Sequence, residues 1–331
     1  MKKISSLVIV TILILVFLGA CANNSSGSVT NTATPLVTKI ETVLFPYTVK
    51  DINGYKLTLT VKPQKVISLT LATDEILPEL VDLSVIQSMT TYSLDEGVSN
   101  ILDIAKKVPL KIDADVEKII SMKPDLVFVA DWKEKKFVQQ LRNAGIKVFQ
   151  FKSPATIQDV KQNITDISRL LGETEKGQKL INSIDEKLSN VDNDLKSMDP
   201  TKKLTVMYYY FAYGSTYAKG TSLDDILSKA GLINMPTQKG LSMWPNISKE
   251  QIIAWNPDII LVPSWSYDKN KDPNKLAEDF KNDPSFKNLK AVKNNRVLML
   301  PDRHLLDNAQ YMADGVVDVA KAAYPDLFTL H

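Results

Sequence analysis

The sequence predicts an α/β protein of two βα lobes with mainly parallel sheets, bridged by a single long helix. Three observations support this fold class: short apolar strands alternate with helical segments, one helical pattern is unusually long, and one segment recurs in both halves. Strands separated by helices are typical of parallel βαβ units. The length of 331 residues also exceeds what one hydrophobic core usually organises.

Residues 1–20 are predicted to be a signal peptide. Lys2 and Lys3 precede an apolar run at 7–18 that is too short to span a bilayer comfortably. The run ends in Leu-Gly-Ala-Cys at 18–21, which resembles the lipobox of bacterial lipoproteins. This resemblance implies cleavage before Cys21, the single cysteine of the sequence, and lipid attachment to its sulfur. Residues 21–44, rich in Asn, Ser and Thr, are predicted to form a lipidated flexible tether.

The first half of the folded sequence predicts a hairpin followed by alternating strands and helices. Alternating arms at 47–61 flank Asn53-Gly54, which predicts a two-residue turn. A strand at 66–69 leads into a helix whose start is predicted at Thr73, and Pro78 is expected to kink or shorten this helix. Further strands are predicted at 126–129 and 147–151, with a helix between them at 133–144 that Gly145 closes.

The second half repeats this pattern after a long helix. A helical pattern at 174–196 predicts an element about 35 Å long, enough to bridge two lobes. Strands are then predicted at 205–210, 258–262 and 297–300. Helices are predicted at 223–230, with Gly231 as the C-terminal cap, and at 308–323.

An internal repeat is the most informative feature. Residues 116–132 match residues 249–265, with Glu, two Ile, Pro, Asp, Val and Trp in register. Each copy predicts a short helix, a Pro-Asp stop, a buried strand and then an aromatic side chain. Trp132 and Trp265 therefore follow the carboxyl ends of equivalent strands, where open α/β sheets bind ligands. Two such lobes predict a ligand cleft between them.

With these motifs the sequence resembles the cobalamin and iron-chelate class of ABC-transporter solute-binding proteins, in which a long helix joins two lobes. The resemblance covers about residues 47–324. It is carried by residues 51–55, 65–69 with 73–77, both repeat copies, 244–251 and 289–297. It implies an N-terminal lobe at 45–172, a linking helix at 173–200 and a C-terminal lobe at 201–331. The sequence departs from the class at Pro78 and at 108–113, where the usual Gly and aromatic residue are missing.

The resemblance implies a monomeric lipoprotein without a cofactor, anchored at the cell membrane and facing outside the cytoplasm. It would deliver a metal chelate, either a corrinoid such as cobalamin or a ferric siderophore, to an ABC permease dimer. In this class a Glu at the positions of Glu117 and Glu250 pairs with Arg on the transporter, so both are predicted to dock the lobes. Alternatively, each acid only complements the macrodipole of its helix.

An aromatic wall with one charged contact is the predicted ligand site. Its residues are Trp132, Tyr213, Trp244, Trp265, Tyr267 and the cation Arg303. Trp132, Tyr213, Trp265 and Arg303 follow predicted strands, and Trp244 precedes the Glu250 helix; core packing of each ring is the alternative. Broad rings with few charges favour a corrinoid or a hydroxamate chelate over a trianionic catecholate, which needs several converging basic residues.

Other functional classes fit less well. A heme binder is the main alternative, with His304 or a tyrosine such as Tyr210 or Tyr213 as the axial ligand. Two histidines argue against a free Zn or Mn site, so no metal ligands are predicted apart from His304 if the ligand is heme. Known catalytic motifs are missing from the sequence. Among enzymes, this leaves only a carboxylate-based extracellular enzyme as an alternative. A net charge of +2 gives no indication of nucleic-acid binding, and an adhesive surface protein leaves the repeat unexplained.

Overall fold

The computed structural model describes residues 43–211, 213–268 and 270–328. The predicted signal peptide, Cys21 and most of the predicted tether lie outside these residues. Within them, every helix is too short or too polar to cross a membrane.

A hairpin precedes the first lobe. Its antiparallel strands are β1 (Tyr47–Lys50) and β2 (Lys56–Leu59). Residues 51–55 close it, so the predicted two-residue turn is wrong, although Gly54 does adopt a positive φ of 78°. The Asp51 carboxylate accepts hydrogen bonds from the backbone N–H of Asn53 and of Tyr55, each at 2.9 Å. These bonds organise the wider loop that the turn signal did not predict.

The N-lobe is built on five parallel strands in the order β5-β4-β3-β6-β7. The strands are β3 (Val66–Ser68), β4 (Ile86–Met89), β5 (Leu110–Lys111), β6 (Leu126–Ala130) and β7 (Val148–Phe151). The helices are α1 (Leu71–Leu80), α2 (Leu102–Ala105), α3 (Val116–Met122), α4 (Lys135–Asn143) and α5 (Ile157–Leu170). Every residue of β3, β6 and β7 is buried, as expected for parallel strands covered on both faces.

Helix α1 begins at Leu71, earlier than its predicted start at Thr73. Thr70 is the N-cap, because its Oγ1 accepts a hydrogen bond from the backbone N–H of Thr73 at 3.1 Å. Pro78 is accommodated inside the helix, which continues to Leu80. Asp74 and Glu75, near the start of this helix, are both fully buried.

The predicted bridging helix is α6 (Thr174–Leu195). Its 22 residues span about 33 Å at 1.5 Å per residue. It packs along α5 and α1 of the N-lobe. Ile184 and Val191 are its buried apolar residues, and they belong to an apolar cluster that includes residues from both halves of the chain.

The C-lobe sheet has parallel strands in the order β10-β8-β11-β12, and β9 pairs antiparallel with the end of β8. The strands are β8 (Thr205–Tyr210), β9 (Ser215–Thr216), β10 (Ile233–Asn234), β11 (Ile259–Val262) and β12 (Val297–Met299). The helices are α7 (Ser222–Lys229), α8 (Met235–Gln238), α9 (Lys249–Trp255), α10 (Pro273–Asn282), α11 (Lys290–Lys293), α12 (Asp302–Leu305) and α13 (Met312–Ala323). Lys187 of α6 pairs with Asp314 of α13 at 2.7 Å, which ties the long helix to this lobe.

The internal repeat has a structural cause at the ends of α3 and α9. Both helices stop on a non-glycine residue in the left-handed conformation, Lys123 with φ 49° and Asn256 with φ 48°. Each of these residues precedes a proline, and a residue before proline avoids the right-handed helical conformation. The two helices therefore end in the same way and turn into β6 and β11.

The aspartate after each proline then bonds to the backbone at the start of the neighbouring central strand. Asp125 Oδ2 accepts a hydrogen bond from the Lys65 N–H at 2.9 Å, next to the start of β3. Asp258 Oδ2 accepts one from the Thr205 N–H at 3.0 Å, at the start of β8. The Pro-Asp pair thus sets the register of two central strands in each lobe, which explains why the repeat includes it.

A buried ion pair fastens the hairpin to the N-lobe. Arg142 at the end of α4 donates to the Asp51 carboxylate and, at 3.0 Å, to the carbonyl of Val148. Its guanidinium lies 3.7 Å from the ring centroid of Tyr55. The Asp51 side chain has no exposed surface, so the pair supplies the counter-charge that its burial requires.

Candidate functional site

A cavity of about 540 Å³ lies at the carboxyl ends of the parallel strands. From the N-lobe it is lined by Leu69, Thr70, Leu71, Ala72, Thr90, Tyr92, Val98, Asp113, Ala130, Trp132, Lys133, Phe151, Ser153 and Pro154. From the C-lobe it is lined by Trp265, Asp302, Leu306 and Asn308. Because both lobes contribute, this cavity is the cleft that the repeat predicted.

Trp132 lies at the end of β6 and contributes an exposed aromatic face to the cleft. The side chain is 63% exposed, and Lys133 Nζ lies 4.7 Å from its ring centroid. The preceding Asp131 accepts hydrogen bonds from the N–H and the hydroxyl of Ser153, at 3.1 and 2.7 Å. These bonds hold together the loops that follow β6 and β7. Trp132 therefore lines the cleft, with a cation beside its ring.

Trp265 lines the cleft from the other lobe and also touches the N-lobe. Its indole N–H donates to Asp95 Oδ1 at 3.0 Å. A Cβ atom at Gly97 would lie 1.9 Å from Trp265 Cδ1, so only glycine fits beneath this ring. Tyr267 contacts Trp265 edge-on at 6.3 Å between centroids, and it lies close to Tyr92 of the N-lobe. One side of the cleft is thus closed by aromatic contacts between the lobes.

Asp302 holds Trp265 in position from beneath the cleft. It is 1% exposed, and its Oδ2 accepts the backbone N–H groups of Ser264 and Trp265, each at 2.9 Å. Its Oδ1 accepts the hydroxyl of Tyr208 at 3.0 Å. Burial raises the pKa of Asp302 to about 7, although these donors lower it. Asp302 is not among the predicted site residues, although an acid shortly after an apolar strand was an available signal in the sequence.

The other predicted contacts do not line this cavity among the described residues. Tyr213, Trp244 and Tyr267 are 56–65% exposed. Tyr213 stacks on Tyr210 at 5.1 Å between centroids. Arg303 is exposed, and its backbone carbonyl accepts a hydrogen bond from Asn100 at 2.8 Å. The structure therefore places Trp132 and Trp265 in the lining of one cavity, with Tyr267 beside Trp265. A ligand role for all six predicted residues stays a prediction.

Acidic groups lie under the N-lobe side of the cleft. Asp74 accepts hydrogen bonds from the backbone N–H and the hydroxyl of Thr90. Burial raises the pKa of Asp74 from 3.8 to about 7, and burial lowers the pKa of the nearby Lys111. Asp113 accepts from the N–H and hydroxyl of Thr91. Lys133 is the one basic side chain among the described residues that line the cavity.

Glu117 and Glu250 occupy equivalent exposed positions. Each is the second residue of a short helix, in α3 and α9, and each helix has a capped start. Asp115 accepts the N–H of Lys118 at 3.0 Å, and Ser248 forms a capping box with Gln251. A hydrogen bond with Ser248 lowers the pKa of Glu250. The two helices therefore present one exposed carboxylate from each lobe.

His304, the histidine predicted as a heme ligand, is paired with Asp318. His304 Nδ1 lies 2.7 Å from Asp318 Oδ2, and His304 does not appear among the described residues lining the cavity. No group of three or more His, Cys, Asp or Glu side chains is placed to hold a metal ion within the described part of the chain.

Two βα lobes with a cavity at the carboxyl ends of their strands define a binding protein whose ligand lies between the lobes. The chain belongs to the periplasmic binding protein family, which it matches over residues 66–304. The family comprises substrate-binding proteins of ABC importers rather than enzymes, so the predicted non-enzymatic binding role is confirmed. An extracytoplasmic, membrane-associated location follows from the same class.

Several known proteins are similar along the chain. The substrate-binding lipoprotein YvrC of Bacillus subtilis, itself uncharacterised, is 24% identical over 99% of both chains. The probable siderophore-binding lipoprotein YfiY of the same species is 24% identical over 99% of this chain and 98% of its own. A cobalamin-binding protein of Halobacterium salinarum is 24% identical over 66% of this chain and 58% of its own.

A solved structure supports the fold. Molybdate-bound MolA of Haemophilus influenzae aligns with a TM-score of 0.71 at 19% identity, covering 85% of this chain and 92% of its own. At this identity the likeness shows the two-lobe fold alone, and the predicted fold class is confirmed.

Proposed function

We propose that the protein captures a bulky metal chelate with apolar faces, either a corrinoid or a ferric hydroxamate siderophore, and delivers it to an ABC permease dimer. The observation that carries this proposal is the cavity of about 540 Å³ with Trp132 on one lobe and Trp265 on the other. Large rings bury roughly 150–250 Å² each and suit a broad ligand surface. The relatives with siderophore-binding and cobalamin-binding names support the same ligand classes.

The charge of the cleft supports the choice between chelates. Lys133 is the one basic side chain among its described lining residues, and Asp113 and Asp302 are also present there. A trianionic catecholate would gain little from one cation and would lie close to carboxyl groups. A neutral or weakly charged chelate does not require converging basic residues. The geometry therefore favours the corrinoid and the hydroxamate.

Heme is the second candidate. A tyrosine suits the axial position better than His304, since the His304 ring is bound to Asp318. Tyr213 is more than half exposed beyond the end of β8, which makes it the tyrosine to test. A Soret band on addition of hemin, lost in Tyr213→Phe, would favour heme over the other chelates.

Fluorescence titration tests the ligand class. The purified protein is titrated with cobalamin, a ferric hydroxamate, a ferric catecholate and hemin, and the best ligand is then tested on Trp132→Ala. Loss of the contact between the ligand and the Trp132 ring is expected to weaken binding at least about tenfold. Trp255→Phe is the matched control, because Trp255 packs in a C-lobe core cluster away from the cleft lining. Tight binding that is equal in parent and Trp132→Ala would contradict the site.

The proposal includes anchoring and organisation of the chain. A diacyl or triacyl lipid on Cys21 would hold the monomeric protein at the outer face of the membrane, since one acyl chain anchors only weakly. The lobes would be residues 45–172 and 201–331, with residues 173–200 linking them. Cys21→Ser is expected to move the protein from the membrane fraction to the soluble fraction. Retention of Cys21→Ser in the membrane at unchanged mass would exclude lipid attachment at this residue.

A further inference from the structure

Two buried carboxyl groups meet where the lobes touch, outside the ligand cleft. Glu75 belongs to α1 of the N-lobe, and Asp307 lies between α12 and α13 of the C-lobe. Glu75 is 0% exposed and Asp307 is 3% exposed. The two carboxyl groups lie close enough for each to affect the protonation of the other, and Gln310, three residues after Asp307, bonds to the backbone carbonyl of Glu75. An acid from each lobe is therefore enclosed in the same interface.

The donors around this pair are distributed unevenly. Asn100 donates from its backbone N–H and its side-chain Nδ2 to Glu75 Oε1, at 2.9 and 3.1 Å. Among the described residues no group reaches hydrogen-bonding geometry with Glu75 Oε2 or with either carboxylate oxygen of Asp307. The backbone N–H groups of the segment after Asp307, at Asn308, Ala309 and Tyr311, approach it and favour its charged form. Glu75 Oε2 and both Asp307 oxygens are thus buried without a hydrogen-bond donor among the described residues.

The same interface contains two further hydrogen bonds between the lobes. Asn100 Nδ2 also donates to the carbonyl of Arg303 at 2.8 Å, and Gln310 Nε2 donates to the carbonyl of Glu75 at 2.8 Å. We call these five residues, Glu75, Asn100, Arg303, Asp307 and Gln310, the acid seam. The two bonds between the lobes require Glu75 and Asn100 of the N-lobe to stay against the α12–α13 segment.

The charges around the seam do not neutralise the pair. Glu79 on α1 and Tyr311 at the start of α13 face it, and burial together with the nearby acids raises the pKa of Tyr311 to about 12. Four lysines on the packed elements have other partners: Lys176 pairs with Glu173, Lys187 with Asp314, Lys106 with Asp103, and Lys111 lies near Asp74. The remaining nearby cation, Arg303 of α12, is exposed. No cation is among the groups that chiefly shift the pKa of Glu75 or of Asp307.

We infer that a single proton shared by Glu75 and Asp307 fastens the two lobes together, and that its loss as the pH rises loosens their interface. With the proton in place, one carboxyl donates to the other across the seam. Without it, two desolvated negative charges from opposite lobes face each other, and repulsion replaces the hydrogen bond. The inference does not depend on which ligand the cleft binds.

The direction of the pH effect follows from burial. Desolvation raises the pKa of both carboxyls, and the neighbouring Asp307 raises that of Glu75 further. The unfolded chain releases these protons near the ordinary carboxyl pKa, whereas the folded protein keeps one to higher pH. The contribution to stability is therefore complete at acidic pH and is lost as the pH rises through the raised pKa values.

Glu75→Gln tests the inference because the glutamine side chain resembles protonated Glu75 and does not titrate. Its amide carbonyl still accepts from Asn100, and its NH₂ donates to Asp307 at every pH. Glu79→Gln is the matched control, since it makes the same chemical change one turn further along α1 at a side chain that is exposed. The melting temperature and the radius of gyration from small-angle X-ray scattering are measured from pH 5 to pH 9 for all three proteins.

Asp74 and Asp302 also titrate in this range, so the result is read as a difference from the parent. From pH 5 to pH 9 the parent is expected to lose about 3 °C or more of melting temperature relative to Glu75→Gln. Its radius of gyration should rise while that of Glu75→Gln stays constant, and Glu79→Gln should behave as the parent. If Glu75→Gln follows the parent in both measurements, the inference is wrong.

A second variant covers the case in which Glu75→Gln does not fold. Asp307→Asn places a donor in the seam from the other lobe and should give the same flattened pH profile. The infrared carbonyl band of protonated carboxyl groups at pH 7 should be weaker in Asp307→Asn than in the parent. An unchanged band together with a parent-like pH profile would overturn the shared proton.

Discussion

The indole of Trp265 occupies the space that a side chain at Gly97 would need. Cδ1 of the ring lies 1.9 Å from the position of a Cβ at Gly97, while its N–H is hydrogen-bonded to Asp95 at 3.0 Å. Gly97 has an ordinary φ, so glycine is required here for space and not for backbone conformation. A glycine of one lobe therefore determines where an aromatic residue of the other lobe can lie.

Gly97→Ala is expected to displace the Trp265 ring and to break its bond to Asp95. Overpacking of this kind costs about 1–3 kcal/mol, so the free energy of unfolding should fall by that amount and the tryptophan emission should shift. Trp265→Ala removes the clash, so Gly97→Ala should cost much less in that background. Additive effects in the double variant, measured by urea unfolding, would show that the ring does not lie against Gly97.

Asp74→Asn is expected to flatten the pH dependence of stability between about pH 4 and pH 7. The folded-state pKa of Asp74 is raised from 3.8 to about 7 by burial. Protonated Asp74 therefore contributes fully to stability below the pKa that it has in the unfolded chain, and this contribution is lost as the pH rises through about 7. Unfolding by urea at several pH values measures this slope. Asp82→Asn, which changes an exposed acid nearby, should retain the slope of the parent. Equal slopes in all three proteins would mean that Asp74 ionises normally.

Arg142→Ala should destabilise the N-lobe strongly because it leaves the Asp51 carboxylate buried without a counter-charge. Removing one partner of a buried pair costs about 3–5 kcal/mol, and the stacking on Tyr55 is lost as well. The double variant Arg142→Ala with Asp51→Asn should recover part of this loss, since no buried charge remains. Chemical unfolding measures both values. A cost below 1 kcal/mol for Arg142→Ala would indicate that water reaches Asp51.

Substituting Glu117 and Glu250 together by Ala is expected to abolish transporter-dependent uptake and to leave ligand affinity unchanged. Both carboxylates are exposed at equivalent positions of α3 and α9, one in each lobe. Glu79 and Glu278, two other exposed acids, form the control pair when substituted by Ala. Uptake by whole cells and titration of the purified protein are compared. Normal uptake by the first double variant would refute docking through these residues.

The long elements and the repeat were predictable because their signals are local. The α6 pattern needs only apolar residues at helical spacing, and the observed helix starts at the predicted Thr174. The Pro-Asp pairs predicted two equivalent helix ends, since the restriction on the residue before proline acts between neighbours in the chain. By contrast, the cap of α1 was assigned to Thr73 when Thr70 provides it, because two threonines in this short segment can each form a cap.

Short elements were missed for a different reason. β4 and β5 have four and two residues, too few to show a period. Their pairing in the sheet defines them, β4 with β3 and β5 with β4. The wider hairpin turn depends on Asp51, whose partner Arg142 lies far along the chain.

The sequence by itself determined the two-lobe α/β fold, the bridging helix, the repeat and the position of Trp132 and Trp265 beyond equivalent strands. Each of these follows from interactions between residues close in the chain or from an apolar pattern that only burial explains. Only the tertiary structure decided that Asp74, Glu75, Asp302 and Asp307 are buried and that Gly97 accepts Trp265. Burial of an acid depends on which distant segment covers it, and that packing leaves no trace in the local pattern of charges.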